Sequence, residues 1–121
     1  MDNKEFGKQL ENRTKKYAIS IIKLSSSLPS TTEGFVIRNQ ISKSGTSVGA
    51  NYREANRARS KADFGNKIRI CESEASETAY WLEIIDELAW ADNLVLQALL
   101  AEINELLAIF TSTSNTLKLH K

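Results

Sequence analysis

LVLQALLAEINELLAIF, residues 94–110, is the stretch whose spacing settles the fold class. Leu96, Leu99, Leu100, Ile103, Leu106, Leu107 and Phe110 recur at steps of three, four or seven, which lines them along one stripe of an α-helix. Three weaker series precede it. Phe6, Leu10, Tyr17, Ile21, Leu24 and Leu28 form the first, and Ile37, Ile41, Val48, Tyr52 and Ala55 the second. Phe64, Ile68, Cys71, Ala75, Leu82 and Ile85 form the third. One proline and five glycines in 121 residues favour long helices over a many-turned β fold.

The breaks agree with the stripes. Pro29 stops the first helix, because its ring clashes with helical continuation. Ser30-Thr31-Thr32-Glu33 fits a capping box with Ser30 as N-cap. Ser60 caps the third helix with Asp63 in its first turn, and Asp92 or Asn93 caps the fourth. Helices are expected near 3–27, 31–58, 61–90 and 93–114. Short loops make neighbours antiparallel, so the expectation is an all-α, up-down-up-down four-helix bundle formed by a single domain over residues 1–121. Ile19, Ile22, Val36, Trp81, Ile84, Leu88 and Trp90 fall off the main stripes. A second apolar face of this kind suggests partner subunits.

The second helix is unusual. Ser44, Gly45, Thr46, Ser47, Gly49 and Ala50 are small, and Val48 is the one aliphatic among them. Interior Gly costs roughly 0.5–1 kcal/mol relative to Ala, so the stretch calls for compensation. Small residues allow a tight crossing inside the protomer, or close approach at a subunit interface.

Charge is unevenly spread. Residues 1–61 hold twelve Lys and Arg against five Asp and Glu, while residues 62–121 hold four against ten, so +7 meets −6. Either the halves neutralise each other within the domain, or a basic face is directed at nucleic acid or an acidic partner. Arg38, Lys43, Arg53, Arg57, Arg59 and Lys61 gather on helix two and its exit and are the candidate nucleic-acid contacts.

Other chemistry finds little support. The single histidine is His120, no Glu-x-x-His pair exists for a two-metal bundle site, and no metal or other cofactor is expected. Cys71 lies on the apolar stripe of helix three without an activating histidine in the sequence around it. GTSVG lacks the Lys-Ser/Thr ending of a phosphate loop. The chain is therefore expected not to be an enzyme. The charged N-terminus, the short apolar runs and the lone cysteine suggest a cytoplasmic protein with no membrane partner.

Two motifs carry a resemblance. Ser47-Val48 followed by Asn51-Tyr52-x-Glu54-Ala55 is similar to a Ser-Ile/Val, Asn-Ile-x-Glu-Gly pattern. Glu74-Ala75-Ser76-Glu77-Thr78-Ala79-Tyr80-Trp81-Leu82 is similar to Glu-Ala-x-Glu-Thr-x-Tyr-Trp-Leu. With these, nearly the whole chain resembles the four helix bundle protein family, also called the 23S rRNA intervening-sequence protein or S23 family. Tyr52 and Ala55 depart from the family's usual aliphatic residue and Gly. The resemblance implies a homo-oligomeric ring, commonly a pentamer. Some members are encoded inside intervening sequences of 23S rRNA genes, and a similar protein is the nucleic-acid-binding accessory factor of diversity-generating retroelements. In such a ring Gly45, Val48, Gly49, Tyr52, Tyr80 and Trp81 would meet neighbouring subunits. The expected function is a ring that binds RNA or DNA or scaffolds an RNA-handling protein. The alternative is a protein-interaction scaffold with no nucleic-acid affinity.

Overall fold

The structure, a computed structural model, describes residues 3–119. Four helices follow one another: α1 (Asn3–Ser26), α2 (Thr32–Ala55), α3 (Lys61–Glu87) and α4 (Asn93–Leu119). α1 packs on α2, α2 on α3 and α3 on α4, and a shorter α1–α4 contact closes the bundle. The four-helix bundle is as the periodicity predicts. His120 lies outside the described residues.

The helix ends differ in instructive ways. Thr31, not Ser30, caps α2, its hydroxyl accepting from the Gly34 amide at 3.0 Å. Gly34 must be glycine here, because a Cβ would lie 1.9 Å from the Pro29 carbonyl oxygen. Ser60 caps α3 as expected, accepting from the Asp63 amide at 3.0 Å, and Asp92 Oδ2 accepts from the Val95 amide at 3.2 Å. α3 stops at Glu87 rather than near residue 90. Ala89 turns left-handed at φ 55°, the Trp90 amide reaches back to the Ile85 carbonyl and the Ala89 amide to that of Asp86. This is a Schellman ending with Ala at the usual glycine position. α4 runs five residues past the expected end, its packed stripe continuing from Phe110 through buried Ser114 to Leu117, which lies against Gly65 of α3.

The core is the sum of the four stripes. Ile21, Ile41, Ile68, Leu82, Ile85, Ile103, Leu106 and Phe110 are fully enclosed. Tyr52 reaches across the bundle to Phe110, ring centroids 5.8 Å apart, and Tyr17 donates to the Leu99 carbonyl at 2.9 Å. α4 is long and apolar enough, by length and composition, to cross a bilayer, which corrects the expectation drawn from its uninterrupted apolar runs. Leu96, Leu99, Ile103, Leu106 and Phe110 form one wall of the core, while Leu94 and Val95 at the start of the helix are exposed and Ala98, Ala101, Asn104, Ala108 and Ser112 line its outer side. Core formation accounts for the buried part of that composition.

The small residues of α2 answer to α1. A Cβ on Gly45 would come 2.7 Å from Ile21 Cγ2, and one on Gly49 3.0 Å from Thr14 Oγ1. The hydroxyls are occupied within the protomer: Ser42 donates across to Ser25 Oγ of α1 at 2.9 Å, and within α2 Thr46 donates to the Ser42 carbonyl at 2.7 Å and Ser47 to the Lys43 carbonyl at 2.6 Å. On the other flank the hydroxyls of Ser44 and Thr78 hydrogen-bond at 2.9 Å, tying α2 to α3 inside the core. The stretch is a close crossing within the protomer.

Candidate functional site

The antiparallel topology gathers the charges near the helix termini at two bundle ends. One end holds the start of α1, the α2–α3 turn and the finish of α4. Residues 56–61 bring Arg57, Arg59 and Lys61 there with no acidic residue between them. Lys4 and Lys8 of α1 line a hollow with Asn56 and Arg57. Lys61, Arg69 and Lys118 line a second hollow where α3 begins and α4 ends. Arg57 and Arg59 are exposed and make no ion pair in the described residues, so their charge faces water. Lys4, Lys8, Arg69 and Lys118 are absent from the sequence-based set. Topology would have found Lys4, Lys8 and Lys118, since in an up-down-up-down bundle the start of α1 and the end of α4 lie beside the α2–α3 turn, and Arg69 follows two turns into α3.

The remaining candidates are placed elsewhere or are already engaged. Arg38 sits at the opposite end. Its guanidinium donates to the Leu28 carbonyl, approaches the Ser26 carbonyl at 3.5 Å and lies over the Phe35 ring, 5.2 Å from its centroid. It clamps the α1–α2 turn, which removes it from the basic end. Lys43 stands mid-helix on the α3 side of α2, near enough to Glu74 to favour that carboxylate's charge. Burial and then the neighbouring Glu77 act the other way and hold Glu74 above its ordinary range. Arg53 borders the basic end but pairs with Glu11 at 3.5 Å, and Glu54 pairs with Lys67 at 3.6 Å. Glu11 also accepts from Asn56 Nδ2 at 2.8 Å, which pins the end of α2 to α1.

The residues expected at a subunit seam divide. Gly45, Val48 (1% exposed) and Tyr52 are enclosed by the protomer's own helices and leave no side-chain surface for a neighbour. That is a correction with a plain cause: the stripe that looked too small for a core is where α1 comes close. Gly49 is half-buried under Thr14. Tyr80 is 57% exposed and stands edge-on to half-buried Trp81, centroids 5.1 Å apart. The Trp81 indole N–H is shielded from solvent and has no acceptor among the described residues.

The opposite end is acidic. Residues 83–92 carry Glu83, Asp86, Glu87 and Asp92 and no Lys or Arg. Among the described residues no group of three or more His, Cys, Asp or Glu is placed to hold a metal ion. Cys71 is enclosed beside the Val48 carbonyl, 3.5 Å away, and burial pushes its thiol up to about 12. A thiol in that state is a packing group at neutral pH.

Residues 9–112 match the family described as 23S rRNA-intervening sequence protein. A crystal structure of a protein with unknown function from the S23 ribosomal protein family, from Bacteroides thetaiotaomicron, is similar throughout. Its TM-score is 0.79 at 35% sequence identity, covering 86% of this chain and 96% of that one. No curated protein matches the chain.

Proposed function

Because the chain belongs to the 23S rRNA-intervening sequence protein family, we propose that it is a non-enzymatic ring of identical bundles that binds RNA through its basic ends. Five subunits is the number the resemblance to the family implies; the charged N-terminus and the lone cysteine favour the cytoplasm as its compartment. One observation carries the reading. Three separate parts of the chain converge to put Lys4, Lys8, Arg57, Arg59, Lys61 and Lys118 at one end, while the α3–α4 junction at the other carries Glu83, Asp86, Glu87 and Asp92. Lys and Arg held on rigid helix ends contact phosphates without reading sequence. Repeated around a ring, several modest patches combine into useful avidity.

The test is anisotropy of labelled single-stranded RNA with the assembled protein at about 50 and about 200 mM salt, where phosphate contacts lose much of their affinity. Affinity should fall at least about tenfold over that range. An Arg57→Glu/Arg59→Glu/Lys118→Glu variant of unchanged assembly mass should bind at least about tenfold more weakly at the lower salt. An Arg38→Gln variant should bind as the wild type does, since Arg38 serves the distant turn. Absence of binding at low salt would reject RNA binding and favour a protein-interaction scaffold, for which the exposed apolar and acidic surface of α3 is the supporting observation.

A further inference from the structure

We propose that the outer face of α1 in one copy docks on the outer face of α3 in the next, a head-to-tail contact between a basic apolar stripe and an acidic aromatic one. This deepens the ring reading above and rests on it. α1 and α3 each pack on α2 and α4 and not on each other, so they occupy opposite corners of the bundle and their outer faces point apart. On α1, Ile19 and Ile22 are 46% and 51% exposed, with Lys15, Lys16 and Lys23 around them at helical spacing. On α3, exposed Tyr80 and half-buried Ile84 are framed by Glu77, Glu83 and Glu87.

Neither charge set is neutralised within the protomer. Lys15, Lys16, Lys23, Glu83 and Glu87 form no ion pair among the described residues. The two faces are thus complementary in sign, each has an apolar centre, and each lacks a partner. They also share a height along the bundle. Ile21 lies against Gly45, and the adjacent Ser44 bonds Thr78, so Ile19, Ile22 and Lys23 stand level with Glu77 and Tyr80. Faces of equal height can be joined by a rotation about an axis along the bundle with no rise, which gives a ring where the rotation closes. The same rotation carries every basic end to one rim.

The solution mass of purified protein, by light scattering on a sizing column, tests this with two charge-reversed variants. Lys15→Glu/Lys16→Glu/Lys23→Glu and Glu77→Lys/Glu83→Lys/Glu87→Lys should each fall to monomer with unchanged helical circular dichroism. The chain carrying all six changes should recover the wild-type mass. Raising salt should dissociate the wild type itself, because screening shortens the reach of surface charges from about 10 Å at 0.1 M to about 3 Å at 1 M. That measurement stands even if a variant misfolds. If the wild type is a monomer at low salt, the ring reading fails and this contact with it. If the wild type assembles but its mass resists salt and both reversals, the ring stands and this pair of faces is wrong. A six-fold variant that folds yet stays monomeric would also overturn the pairing.

Discussion

Gly34, Gly45 and Gly65 are all buried and all helical, yet an added Cβ meets something different at each. At Gly34 it meets a backbone carbonyl that cannot move without undoing the α1–α2 turn. At Gly45 it meets the Ile21 side chain, which can shift at some cost. At Gly65 the nearest atom is Leu117 Cδ1 at 3.6 Å, an ordinary contact. Alanine is worth about 0.5–1 kcal/mol over glycine inside a helix, while overpacking costs about 1–3 kcal/mol. Urea unfolding at neutral pH should therefore rank the variants. Gly65→Ala should gain about 0.5–1 kcal/mol, Gly45→Ala should lose about 1 kcal/mol, and Gly34→Ala should lose about 3 kcal/mol. The sequence exposes the oddity of these residues but not its direction. Whether a small residue faces its own chain or another copy depends on the crossing helix, and α1 carries no mark of how near it comes.

Among the helices, α3 ends at some cost to itself. Ala89 holds the left-handed turn at φ 55° that a glycine would adopt freely. Ala89→Gly should raise the stability of the fold by about 0.5–1 kcal/mol, read as a higher thermal midpoint with unchanged helical signal; a lower midpoint would mean that the alanine methyl is packed. The four helices and their order are legible in the sequence because each has a 3.6-residue stripe and each junction a hydroxyl or acidic cap. The exact ends are less so. Ser30 and Thr31 are both capable caps, and turn geometry selects between them. A Thr-Ser tail reads as a frayed end until Ser114 is seen buried and Leu117 against Gly65. Arg38 illustrates the same limit at the candidate site. Its neighbours in sequence suggest a basic strip, but its nearest partners belong to the turn before it.

Across the whole molecule the extensive contacts join helices adjacent in sequence, and the α1–α4 closure is held largely by Arg13 and Tyr17. Arg13 bridges Glu102 at 2.6 Å and Glu105 at 2.8 Å, and Tyr17 bonds the Leu99 carbonyl. Local topology of this kind folds in microseconds to milliseconds. Trp81 and Trp90 emission after a denaturant jump on dissociated protein should relax within that range in a single exponential phase. A dominant phase of about a second would show that closing α1 on α4 is a separate, slow event. The basic end was half legible: Arg57, Arg59 and Lys61 alternate through the α2–α3 connection, while Lys4, Lys8 and Lys118 come from distant parts of the sequence and meet them only through topology. The same convergence has a practical side. Asn3 lies beside Arg57 and Lys118 beside Lys61, so an affinity tag, fluorophore or surface tether attached near either of them crowds the face under study. A label on the α3–α4 turn, at the far pole, leaves that face open to whatever is titrated against it.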